Sequence, residues 1–319
     1  MASVSTGWSH TCALTTGGGV KCWGRNDYGQ LGDGTTTSST RPVDVAGLSR
    51  GVAAIAAGGD HTCAVTIDGG VKCWGRNDRD QLGDGTFSTH RMPVGVVGLS
   101  RDVIAITAGW QHTCALTTDG AVKCWGFNDT GQLGDGTTTS STTPVNVVEL
   151  SNDVTTVSAG HDHTCALTTG GGVKCWGHNW HGQLGDGTFV TRTIPVDVVG
   201  LSSGVIAIST RGHAHTCVVM ESGGVKCWGD NNHGVLGDGT SVESTTPVDV
   251  AWLSSGVANI ASGSEHNCAL TYGGGVKCWG CNLSGQLGID LGWTPVDVVG
   301  LEGIVVYSTA LHFPYVGLQ

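Results

Sequence analysis

Apolar positions along the chain recur with a period of two, and glycine interrupts them at short intervals. The first clear case is His10-Thr11-Cys12-Ala13-Leu14 and Val20-Lys21-Cys22-Trp23-Gly24, flanking Gly17, Gly18 and Gly19. Two alternating arms around a glycine turn read as a β-hairpin. Pairing the arms symmetrically about Gly17 sets Cys12 opposite Cys22 and Leu14 opposite Val20. Because side chains alternate along a strand, His10, Cys12 and Leu14 then share a face with Val20 and Cys22. Lys21 and Trp23 point the other way, where the lysine stem is expected to cover the indole ring. Two more short strands are predicted nearby, one of the type Pro42 to Val45 and one of the type Val52 to Ala57. No segment carries a helical period.

The hairpin recurs. Cysteines pair by position as Cys12 and Cys22, Cys63 and Cys73, Cys114 and Cys124, Cys165 and Cys175, Cys217 and Cys227, and Cys268 and Cys278, each pair spaced C-x9-C. The repeats run approximately 2–51, 52–102, 103–153, 154–204, 205–256 and 257–303, and 304–319 reads as a closing strand and tail. Four short strands per repeat of about 50 residues is the arithmetic of a propeller blade. The expected fold is an all-β propeller over 1–319, with six blades if the ring closes on itself. In such a ring Pro295 to Thr309 completes the blade begun by the first hairpin, which leaves Ala2 to Thr6 spare. A spare strand can pair with a second subunit, so a homo-oligomer or filament through the terminal strands is a candidate assembly.

Composition narrows the function. The chain has 319 residues, a formal net charge of −11, 54 glycines and 13 cysteines. Glycine does not fall at every third position, which excludes collagen. No run of 18 apolar residues exists, so insertion of a helix into a membrane is not expected. An acidic chain with no Lys/Arg cluster is not expected to bind nucleic acid. Cysteines directly opposed across a hairpin can come within disulfide distance, so six disulfides are expected, one per repeat. The rival readings are a zinc site built on His10, Cys12 and Cys22, and a set of buried free thiols. Disulfides point to an extracellular or cell-surface location, although the opening MASVSTGWSH is no signal peptide. The thirteenth cysteine, Cys281, sits at a variable position, either as a neutral surface substitution or as an intermolecular link.

The string CWGRNDYGQLGDGT (Cys22 to Thr35), preceded by HTCAL, resembles the regulator of chromosome condensation repeat. It recurs in all six copies, most decayed in the last, CWGCNLSGQLGID. The resemblance implies a β-propeller, usually of seven blades, and the paired cysteines resemble those of the family's secreted bacterial members. Functions in the family include nucleotide exchange on a GTPase, ultraviolet-B reception and binding of another protein. Gly7-Trp8-Ser9-His10-Thr11 and Gly109-Trp110-Gln111-His112-Thr113 are similar to the photoreceptor's tryptophan motif but lack its arginine.

Copies within one chain separate scaffold from decoration. Gly24, Asn26, Leu31 and Gly32 are the same in every copy and serve the shared fold; the glycines and Asn26 read as turn residues, with Asp33 capping backbone amides. The loop lacks the residue order of a calcium loop. The six HTC or HNC histidines are expected to bond the backbone at the strand start. Variable positions carry Trp8 and Trp110, Arg25, Arg76 and Phe127, and Tyr28, Arg79, Trp180, His181 and His233. Aromatic, arginine and histidine side chains on loops are what protein interfaces enrich, so these ten form the expected interaction surface. His161-x-His163 and His213-x-His215 space two imidazoles for a metal, but the second of each is the scaffold histidine, and no metal or cofactor is expected. No phosphate loop, nucleophile elbow or isolated acid pair is present. The expectation is a non-enzymatic, secreted or cell-surface module that binds a protein partner or serves a structural role. An intracellular exchange factor and a self-assembling surface subunit are the alternatives.

Overall fold

The computed structural model describes residues 2–210, 212–287 and 292–298, and within them 24 strands form six four-stranded antiparallel sheets. One repeat explains the rest. Ser3–Thr6, His10–Leu14, Val20–Gly24 and Ser39–Asp44 pair in chain order, from the inner strand to the outer. The register is the expected one, with Cys12 against Cys22 and Leu14 against Val20. Gly18 turns the hairpin at φ 77°, a conformation other residues rarely adopt.

Every one of the six hairpins is stapled. Cys12–Cys22, Cys63–Cys73, Cys114–Cys124, Cys165–Cys175, Cys217–Cys227 and Cys268–Cys278 are disulfides, each with Cα atoms 4.1 Å apart. The pairing matches the expectation of one bridge per repeat, and it leaves Cys12 and Cys22 no thiolate to offer a zinc ion beside His10. Intact protein handled without reductant should therefore take up twelve hydrogens on full reduction, measured by mass. A smaller uptake would mean that some hairpins carry free thiols.

The N-terminal segment is not spare. Ser3–Thr6 is the inner strand of blade 1, with Val4 opposite Ala13 and Ser5 opposite Cys12. The Ala57 amide of blade 2 donates to Ser5 Oγ at 2.9 Å, fixing this strand to its neighbour. Each repeat thus builds its own complete blade. Gly292–Asp297 is the outer strand of blade 6 rather than a contribution to blade 1. This removes the free strand on which pairing of subunits rested. The closing strand and tail expected at 304–319 lie outside the described residues.

Blades join through a repeated seam. The cysteine face of one blade packs on the alanine and tryptophan face of the next. Cys12, Leu14, Val20 and Cys22 share a core with Ile55, Ala64 and Trp74. Above that core, His10 Nε2 lies 2.8 Å from Thr62 Oγ1, and Thr62 Oγ1 donates to the Gln30 carbonyl at 3.0 Å. The Trp74 indole N–H donates to the same carbonyl at 2.9 Å. A threonine whose only proton goes to Gln30 must accept from the imidazole, so the ring is protonated on Nε2. The histidines are therefore latches between blades, and the expected bond to their own strand's backbone is not what they make. The same triad joins the next three seams, through His61–Thr113, His112–Thr164 and His163–Thr216. At the fifth, Asn267 replaces threonine, accepting from His215 at 3.0 Å and donating to the Val235 carbonyl at 2.7 Å.

The seam between blades 6 and 1 differs. Trp74, Trp125, Trp176, Trp228 and Trp279 are all 0% exposed, whereas Trp23 of blade 1 is partly exposed. Among the described residues, no carbonyl accepts from the Trp23 indole and no threonine or asparagine latches His266. The blade 6 core of Leu270, Val276, Cys278 and Leu287 contains no residue of blade 1. Among the described residues, five seams are built alike and the sixth is not.

Two scaffold readings are corrected. The lysines do not cover tryptophan rings, because in blades 2 to 6 the rings dock into the preceding blade. Lys21, Lys174, Lys226 and Lys277 instead pair with the aspartate opposite them on the outer strand, at 2.6–2.7 Å. Asn26 is not a turn former but a buried clamp. Its Nδ2 donates to Asp33, to the carbonyls of Thr35 and Thr37 and to Thr35 Oγ1, while its Oδ1 accepts from the Leu31 amide. Asp33 caps the Thr35 amide at 2.9 Å, as expected.

Candidate functional site

In an antiparallel blade the loop between the inner and second strands lies at the same end as the loop between the third and outer strands. The Arg25 amide donating to the Ser9 carbonyl at 2.8 Å ties the two loops together. Every position that varies between copies in these loops therefore faces one end of the propeller, above the invariant seams.

At the axis of that end is a cavity of about 270 Å³ to which all six blades contribute, including Gly7, Gly58, Gly109, Gly160, His213 and Ser264. The glycines are there because of crowding. A Cβ on Gly58 would collide with the His61 ring and stand 2.6 Å from the Gly109 carbonyl. Their loops are bonded blade to blade, Trp8 N to Gly58 O at 3.2 Å and Gly59 N to Gly109 O at 3.1 Å. Around the rim runs a chain of rings. Trp8 meets Trp110 edge-on at 4.4 Å, Trp110 stacks on His161 at 4.6 Å, and His161 leans on His213 at 4.7 Å. Trp8 is 56% exposed, so the chain presents an aromatic surface to solvent.

Asp162 governs the charge of this rim. Burial pushes its carboxyl upward, but the hydrogen bond from His161 and the fields of His161, His112 and His178 outweigh it, so the pKa is lowered. His161 Nδ1 lies 2.6 Å from Asp162 Oδ2. Burial lowers the His213 pKa, with His161 adding to the effect. The rim thus combines π faces with one fixed carboxylate. The two spaced histidine pairs do not chelate. His163 and His215 are turned into the seams, while His161 and His213 stay at the axis.

The other variable positions meet over the seams. Arg76 sits 4.9 Å from the Tyr28 ring and 3.5 Å from Asp60, and Arg25 approaches the same ring at 5.8 Å. Arg79 lies over Phe127 at 5.1 Å. Trp180 leans on His178 at 4.8 Å, and His181 contacts Glu243 at 3.2 Å. His233 is 3.6 Å from Glu265. All ten residues expected at the surface lie on this face, as one axial pair and several seam clusters. Cys281 is corrected: it is free but only 6% exposed, so it is neither a surface substitution nor within reach of another chain.

Sequence reasoning missed Asp60, Asp162 and Glu265. They occupy the residue just before the scaffold histidine, which reads Ser9, Asp60, Gln111, Asp162, Ala214 and Glu265 through the copies. That variation is a usable signal. An Asn-x-Thr sequon at Asn128 is no glycan acceptor, because this asparagine is the buried clamp of repeat 3, at 0% exposure.

The profile of the RCC1-like domain matches residues 48–313, and those of the regulator of chromosome condensation (RCC1) repeat match 18–65 and 1–30. The chain belongs to the RCC1 repeat family. This RCC1-like propeller is 32% identical over 294 residues to the ultraviolet-B receptor UVR8 of Arabidopsis thaliana, covering 91% of this chain and 67% of that one. It is 34% identical over 275 residues to the E3 ubiquitin-protein ligase HERC2 of Homo sapiens, covering 84% of this chain but 6% of that one. Among solved structures it resembles human WBSCR16, with a TM-score of 0.81, 25% identity, and coverage of 92% and 80%. Prp20p of Saccharomyces cerevisiae also gives 0.81, at 21% identity and coverage of 92% and 76%. That last likeness speaks to the fold alone.

Proposed function

We propose that this propeller is a binding module of an oxidising, extracellular or cell-surface compartment, and that it holds a protein partner on the loop face. The observation that carries this reading is the segregation of the chain's variation. Invariant residues build the seams, and variable aromatic, arginine and histidine side chains converge on one end. A rim of indoles and imidazoles around a 270 Å³ mouth suits a basic or aromatic side chain inserted from the partner. The formal charge of −11 favours a basic partner as well. Binding rather than catalysis is proposed because the axial rim of indoles and imidazoles presents an aromatic surface to solvent. A relative named as a receptor is in keeping with a role in recognition. The six disulfides support the oxidising compartment.

The test uses the double variant Trp8→Ala, Trp110→Ala, beside a control at Tyr272, which is 65% exposed on a hairpin at the opposite end. Immobilised protein is used to capture extracellular proteins quantitatively. The axial variant should lose at least about tenfold of a specific partner, the scale of an interface hot spot, while Tyr272→Ala keeps it. Equal capture by both variants would move the site elsewhere.

A further inference from the structure

Over the seam between blades 5 and 6, the variable positions hold His233, Glu265 and Cys281. His233 comes from the long loop of blade 5, Glu265 precedes the second strand of blade 6, and Cys281 follows its third. One imidazole nitrogen, one carboxylate oxygen and Sγ all lie within 4.8 Å of one another. The Cys281 amide donates to the Glu265 carbonyl at 2.8 Å, so the backbone holds these two side chains in register. The equivalent positions at the seam between blades 1 and 2 are Tyr28, Asp60 and Arg76, which satisfy one another by a cation–π contact and an ion pair. Cys281 is only 6% exposed, and its sulfur lies within reach of both the carboxylate and the imidazole.

We propose that His233, Glu265 and Cys281 form a zinc(II) site with three protein ligands and one exchangeable water. Sulfur, nitrogen and oxygen are the three donor types zinc takes, and a thiolate disfavours magnesium and calcium. Zn–ligand bonds of about 2.0–2.3 Å in a tetrahedron separate the donors by about 3.3–3.8 Å. The half-exposed His233 and Glu265 side chains can swing in by that difference, while Cys281 stays fixed. On binding, the Cys281 S–H bond breaks, the sulfur keeps the electron pair and bonds the metal, and the proton passes to solvent. Such a site clamps blade 6 to blade 5 and leaves a Lewis-acidic position on the loop face.

Cobalt(II) is the direct probe. The other twelve cysteines are disulfides, so a thiolate-to-cobalt charge-transfer band in the oxidised full chain reports on Cys281 alone. We expect that band, with four-coordinate d–d absorption, to be displaced by one equivalent of zinc. Cys281→Ser should abolish it. His233→Ala, on an exposed loop and with the thiol intact, should weaken zinc binding at least about tenfold, as should Glu265→Gln. Cobalt bound at the axial histidines gives no such band. Its absence from the wild-type chain, or an unchanged affinity in His233→Ala, would overturn the site.

Discussion

Replacing Trp74 with alanine should cost about 3–5 kcal/mol of stability, while the same change at Trp23 should cost about 1 kcal/mol or less. The two tryptophans occupy the same place in successive repeats, and sequence alone gives no reason to separate them. Trp74 is 0% exposed and fills the space between the blade 1 core and its own sheet. Removing it leaves a cavity that the disulfide-stapled hairpins on either side, Cys12–Cys22 and Cys63–Cys73, cannot close. The hydrogen-bond loss is smaller, because the Gln30 carbonyl keeps its bond from Thr62 at 3.0 Å. Trp23 has neither a docked neighbour among the described residues nor full burial, so its removal forfeits only partial packing. Urea midpoints of the oxidised protein measure both. Comparable losses at the two positions would mean that Trp23 is docked in solution, and that the sixth seam is closed by chain outside the described residues.

Much of a single blade is legible because its determinants are local. Period two fixes which side chains share a face, and equal hairpin arms fix the register, so Cys12 opposite Cys22 follows from the spelling. The same spelling in the other five copies carries the pairing from Cys63–Cys73 through Cys268–Cys278. What lies between blades is not legible in the same way. Whether His10 turns to its own backbone or to Thr62 depends on which face of the next repeat arrives, and 52 residues of chain separate them. Lys21 and Trp23 illustrate the same limit. They alternate onto one face as predicted, but in blades 2 to 6 the indole is claimed by the preceding blade, and Lys21 is claimed by Asp44 on the strand beside it. The N-terminal strand fails for a similar reason. Chain-end arithmetic allows either a shared blade or six self-contained ones, and only the pairing of Ser3–Thr6 with the first hairpin decides.

The site shows a parallel division. The ten surface residues are identifiable from variation among copies, and they do share one face. Their grouping is not, because Tyr28, Asp60 and Arg76 are brought together only by blade-to-blade stacking. The ring chain from Trp8 to His213 likewise joins four copies of one position across four repeats. A repeat protein makes its surfaces from equivalent positions in neighbouring copies, so the informative reading runs down the columns of the repeat.

The seam histidines should make the propeller acid-labile well above the pH at which carboxylates protonate. Burial holds His61 and His163 at about 3, and His112 and His215 at about 4, against an ordinary value of 6.5. Above about pH 6.5 these rings are neutral in both the folded and the unfolded chain, and their contribution to stability is complete. As pH falls through the window from 6.5 toward 4 and then 3, the unfolded chain binds protons that the latched rings refuse. Stability must therefore fall with pH there, each histidine contributing up to about 1.4 kcal/mol per pH unit. Four together lower stability by several kcal/mol between about pH 6.5 and pH 5, comparable to the whole margin of many domains. Urea midpoints should be level from about pH 8 to 7 and drop steeply below about 6.5. His61→Gln keeps an N–H donor for Thr113 but cannot titrate, so its curve should be shallower by about one proton's worth. A midpoint that stays level down to about pH 5 would show that the histidines protonate inside the folded seams, and that the latch tolerates a charged ring.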